Sequence, residues 1–146
     1  MARRGAGSAP AASWSSPPPA AADPCPPPAA RIGSIWGEAR RAAVAARLIA
    51  VDAAQGEARF AATARRVDPF VSTWRDAHVE ACRATRVRGV QSDTLLDRRM
   101  RCLDHRAAEL EASLAVVTAA ADAAALDAAL VGLAQLTPIA SCDDVD

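Results

Sequence analysis

Apolar positions in the second half of the chain fall at Leu96, Met100, Leu103, Ala107, Leu110, Leu114 and Val117. This alternation of four and three puts all seven on one stripe of an α-helix. The same period runs through the preceding segment at Phe60, Ala64, Val67, Val71, Trp74, His78, Ala81 and Thr85. Asp68-Pro69 interrupts that first stripe and predicts a kink or a restart, because Asp caps helices and Pro suits a first helical turn. Between the two stripes, Gly89 suits a left-handed C-terminal cap, and Ser92 or Asp93 suits the N-cap of the helix that follows. Two seams of equal period joined by a short turn predict an antiparallel helical hairpin.

Shorter signals flank the hairpin. Ser34 offers an N-cap ahead of Ile35-Trp36, with Glu38 in the first turn, for a helix to about Ala50 whose buried side is Ile35, Trp36, Val44 and Leu48. A last helix, capped by Asp122 and bearing Leu126, Leu130 and Leu133, folds back until Thr137-Pro138 stops it. The fold class is therefore all-α, an antiparallel hairpin or bundle of about four helices. Residues 1–30, with Pro17-Pro-Pro and Pro26-Pro-Pro, predict a disordered Pro/Ala-rich lead. Residues 31–140 form the bundle and 141–146 a C-terminal tail.

Composition narrows what such a bundle can be. Ala fills 39 positions of 146, so the core must come from closely approaching helices with thin interfaces. All seventeen basic residues are Arg. Without Lys, the chain cannot supply the phosphate-binding Lys of a kinase domain or a phosphate-binding loop. Net charge is zero but uneven: residues 83–106 hold seven Arg against Asp93, Asp97 and Asp104, whereas from Asp122 onward there are five Asp and no base. That dipolar pattern favours protein partners met through helical surfaces over nucleic acid. The longest apolar run, Ala42 to Val51, is short and broken by Arg47, so no membrane span is expected, and the N-terminus lacks an apolar signal-peptide core. As written, the chain is expected in the cytoplasm. Oligomeric state is not encoded in these patterns, and no cofactor is implied.

Four cysteines, Cys25, Cys82, Cys102 and Cys142, allow three pairings as two disulfides. About a turn near Ala120, Cys102 lies eighteen residues before and Cys142 twenty-two after, which brings the two toward one end of the bundle and leaves Cys25 with Cys82. Reduced thiols buried at helix interfaces are the competing reading for a cytoplasmic chain. Another is a zinc site: His78 and Cys82 are four apart, Cys102 and His105 three apart, and the hairpin sets both pairs at similar height. A stand-alone zinc-binding helical protein is thus the alternative function. A Cys-His nucleophile lacks a third orienting residue.

The segment from Cys82 to Leu103 follows the pattern C-x-A-T-x-V-R-G-x-Q-S-x-x-L-L-D-x-R-M-x-C-L. It resembles a segment of large membrane-anchored bacterial serine/threonine kinases of the eukaryotic-like type, which there lies between the membrane helix and tetratricopeptide repeats. Trp36 with Arg40 and Arg41, and the ending Leu136, Pro138, Cys142 and Asp143, extend the likeness across residues 31–146. Val90 stands where that family usually carries Glu. The resemblance implies a non-catalytic linker or interaction module on the sensor side of the membrane. It favours disulfides, since the similar segments are extracytoplasmic and carry Cys at the positions of Cys82, Cys102 and Cys142. The kinase domain, membrane helix and repeats are missing here, so the resemblance implies a fragment. The chain has no Gly-rich loop, catalytic Lys, HRD or DFG run and is not expected to phosphorylate anything. Arg86, Arg88 and Gln91 at the hairpin tip are the candidate partner-binding residues.

Overall fold

The computed structural model describes residues 22–145; residues 1–21, the larger part of the expected lead, and Asp146 lie outside them. Among the described residues five α-helices and one 3-10 turn account for all regular structure. They are α1 (Ala29–Trp36), α2 (Glu38–Val51), α3 (Gly56–Arg86), α4 (Asp93–Ala119) and α5 (Ala123–Ala134), followed by a 3-10 turn at Ile139–Cys142. The all-α antiparallel bundle expected from the periodicity is the observed fold.

The first expected helix is two helices. Helix α1 starts at Ala29, straight after the proline run, so Ser34 is not an N-cap; its hydroxyl lies inside α1 and donates to the Arg31 carbonyl at 2.8 Å. The break falls at Gly37, where an added Cβ would lie 2.2 Å from the Gly33 carbonyl oxygen. Only a residue without a side chain fits this close approach. Ile35 and Trp36 still reach the core, joined by Val44 and Leu48 from α2.

Helix α3 runs on through Asp68-Pro69 without a restart, 31 residues in all. Pro69 removes one rung of the helical ladder, and packing against the neighbouring helices supports α3 across that gap. Helix α4 begins at the expected cap, the Ser92 hydroxyl accepting from the Leu95 amide at 3.2 Å, with Asp93 favourably placed in the first turn. Asp122 caps α5 in the same way, accepting from the Ala125 amide at 2.9 Å.

Helix α4 is the centre of the bundle, packed against α2, α3 and α5. Its stripe of Leu96, Leu103, Ala107, Leu110, Leu114 and Val117 is buried, with Met100 partly so. Facing it are Val44, Leu48, Val67 and Trp74 on one side and Leu126, Ala129 and Leu133 on the other. Burying one such Leu or Val stabilises the fold by about 1.5–3 kcal/mol. Trp74 adds a polar tie, its indole Nε1 donating to the Leu103 carbonyl in α4 at 2.7 Å within the core. Packing reaches past residues 31–140 at both ends, since Cys25 and Cys142 are each only 2% exposed.

Candidate functional site at the hairpin tip

Helix α3 ends in a tight turn: the Arg88 amide donates to the Arg83 carbonyl and the Val90 amide to the Ala84 carbonyl, both at 2.9 Å. Gly89 takes φ 63°, the left-handed conformation expected of it. The turn lifts Val87 and Val90 clear of the bundle, 60% and 75% exposed. Neither valine belongs to the periodic seam, and that was the one available signal for their exposure.

Of the three tip residues expected to meet a partner, Arg86 pairs with Asp93 at 2.9 Å and Arg88 with Glu80, all four on the surface. Gln91 turns inward. Its side-chain amide donates to Thr85 Oγ1 at 2.9 Å and to the Ala81 carbonyl at 3.3 Å, and its Oε1 accepts from Arg99 at 2.9 Å. Arg99 also pairs with Asp143, so a polar chain runs from the end of α3 through α4 to the C-terminal segment. Gln91 therefore fixes the turn, and the outward-facing groups are the two valines and the paired arginines.

Two disulfides close on this hairpin. Cys82 in α3 is bonded to Cys25 with Cα atoms 5.7 Å apart, and Cys102 in α4 to Cys142 with Cα atoms 5.5 Å apart. Both separations are ordinary for disulfides. Beside the first, Asp23 accepts from the Cys25 amide at 2.9 Å and pairs with Arg83 at 2.9 Å. The amide of Cys25, then Arg83, hold the Asp23 carboxyl below the usual carboxylate range. Beside the second, Arg99 and Asp143 make the ion pair just described.

The expected zinc ligands do not assemble. Cys82 and Cys102 are committed to different disulfides and offer no thiolate. His78 packs its ring 5.5 Å from that of Trp74, and burial pushes its pKa down against the opposing pull of Asp104. His105 is exposed and lies 3.7 Å from Glu109. Among the described residues no group of three His, Cys, Asp or Glu is placed to hold a metal ion. With no free cysteine, sulfur nucleophiles are also missing from the described residues. No helix there is long and apolar enough to cross a membrane.

Sequence reasoning missed a second polar cluster, at the other side of α3. Asp68 accepts from Trp36 Nε1 at 2.7 Å and pairs with Arg41, whose guanidinium lies 5.0 Å over the Trp36 ring. Arg41 first, and the indole N–H second, hold the Asp68 carboxyl below its usual range. The cluster fastens α1 and α2 to α3 at the point where Pro69 leaves a helical rung unmade.

Compared with protein-family models, curated proteins and solved structures, the chain matches none of them.

Proposed function

We propose that this chain is a non-catalytic helical linker and interaction module working in an oxidising, extracytoplasmic setting, of the kind implied by its resemblance to the sensor-side segment of bacterial membrane serine/threonine kinases. The observation that carries the reading is the placement of the two disulfides. Each joins one chain end to one arm of the same hairpin, Cys25 to α3 and Cys142 to α4. A segment set between two other parts of a protein needs its entry and its exit each anchored to the fold, and each of these bonds anchors one of them to one arm of the hairpin. Bridges of this kind persist in oxidising compartments and are reduced in the cytosol. Val87 and Val90 at the tip supply an apolar contact for a protein partner, framed by Arg86 and Arg88. Catalysis has no part in this reading.

The test is the intact mass of the chain secreted through an oxidising compartment, before and after reduction, with peptide mapping. The expected result is a mass lower by four hydrogens, with linked peptides Cys25–Cys82 and Cys102–Cys142. Four free thiols in protein from that compartment would sink the reading.

A further inference from the structure

From the order of the cysteines along the chain we infer that the module bears tension between its two ends through the hairpin tip alone, with the rest of the bundle covalently shielded from load. Of the 117 residue steps between Cys25 and Cys142, 57 lie inside the loop closed by Cys25–Cys82 and 40 inside the loop closed by Cys102–Cys142, which leaves 20. A pull on the flanking segments enters at Cys25, crosses to Cys82, and follows the backbone round the turn to Cys102. There it crosses to Cys142 and leaves.

The shielded loops contain α1, α2, most of α3, the larger part of α4, and α5. They hold Val44, Leu48, Val67, Trp74, Leu110, Leu114, Leu126 and Leu133, which is most of the core. The loaded stretch keeps two buried side chains, Ala84 and Leu96. What holds it shut is largely polar: Gln91 on Ala81 and Thr85, Arg86 on Asp93, and Arg99 on Gln91. Of these the Arg86–Asp93 pair is exposed and weak, and the Gln91 bonds are a few neutral-acceptor contacts of modest net strength. The tip is thus the element that yields first, and its yielding leaves the main core in place. The inference rests on the disulfide pairing and on no assumption about what the flanks are attached to.

Single-molecule pulling on the full chain, with handles at Met1 and Asp146, tests it. An extended chain spans roughly 3.5 Å per residue. Beyond stretching of the flanks, the oxidised molecule should therefore lengthen by at most about 70 Å. The same molecule reduced in place should release the whole stretch from Cys25 to Cys142, about 410 Å. The double variant Cys102→Ala/Cys142→Ala should release about 210 Å, and Cys25→Ala/Cys82→Ala about 270 Å. An oxidised wild-type molecule that lengthens by more than about 150 Å, or by the same amount before and after reduction, overturns the inference. Because wild type is read both ways on one molecule, the test stands even where a variant fails to fold. Failure of the linker reading through free thiols would show separately, in the mass measurement.

Discussion

Trp74 ties the two arms of the hairpin together, and its replacement tests how the core is built. The side chain, on α3, is 3% exposed, bonds to α4 through Leu103 and lines a small apolar cavity together with Ile32 and Ile35 of α1. Truncation to Ala removes a large buried aromatic, which costs about 4 kcal/mol. Trp74→Phe is gentler. It loses the Nε1 bond to Leu103, worth ~1 kcal/mol net, and about 40 Å² of buried apolar surface at ~25 cal/mol per Å², another ~1 kcal/mol. The loss stays small because Leu103 sits mid-helix: its carbonyl keeps the ladder bond of α4 when the indole is gone, so no buried acceptor is orphaned. Urea unfolding followed by far-ultraviolet circular dichroism reads both values without relying on the indole as a probe. With a slope of about 2 kcal/mol per M, the midpoint should fall by about 2 M for Trp74→Ala and about 1 M for Trp74→Phe. If Phe costs as much as Ala, or if both lie within about 0.3 M of wild type, the account of Trp74 as a filled and hydrogen-bonded core position is wrong.

Breaking Cys102–Cys142 or Cys25–Cys82 by paired Ala substitutions should each lower stability by ~4 kcal/mol, from the loop lengths of 40 and 57 residues, read as a fall in urea midpoint of about 2 M. Gly56→Ala should destabilise, since its Cβ would lie 2.5 Å from the Ile49 backbone, whereas Gly132→Ala, with nothing within 4 Å, should stabilise α5 by about 0.5–1 kcal/mol; thermal melts of both should move in opposite directions. His78 has its pKa lowered by burial, so the unfolded chain binds its proton first, and stability present above the ordinary histidine range is lost as pH falls through it; that loss should vanish in His78→Gln when denaturation is compared at pH 7.5 and 5. Asp68, held low by Arg41, contributes stability that is present above the ordinary carboxylate range and lost as pH falls below it, so Asp68→Asn should flatten acid unfolding when denaturation is followed from about pH 5 down to about pH 2.

The parts legible in the sequence were those where one helix face meets one dense core. In α4 every large apolar residue of the stripe, from Leu96 to Val117, lies on the buried side, because α4 is packed on by all four other helices and each position carries its own volume. In α3 the stripe is displaced. Val67, Trp74 and Ala81 are buried as the period requires, but Thr63 and Ala84 are buried too, while Phe60 and Val71 are only partly so. This helix meets α2 along one side and α4 along another, so its buried arc is wider than a two-helix seam. Gly56 marks a close approach to the Ile49 backbone of α2, and hydrophobicity hardly registers it. The division of the first helix at Gly37 was hidden because it rests on an extended backbone that passes too close to the Gly33 carbonyl for a side chain, which no residue pattern displays. At the tip, the sequence pointed to the right turn and the right Gly but treated Gln91 as a surface group. The carbonyl of Ala81 and the hydroxyl of Thr85 come together for it only once the helix end has formed. Long-range pairs such as Arg59–Asp127 and Arg31–Glu111 join charges that follow no period along the chain.

The two covalent loops follow one another along the chain without nesting or crossing. A polypeptide emerging from its N-terminus exposes Cys25 and then Cys82 before Cys102 has appeared, so of these four cysteines the first two can meet before the third is available. Once that bond is closed, Cys102 waits for Cys142 alone. Each bond therefore joins successive cysteines in order of synthesis, an order that vectorial folding can follow without reshuffling among these four, whereas refolding of the complete reduced chain must choose among three pairings.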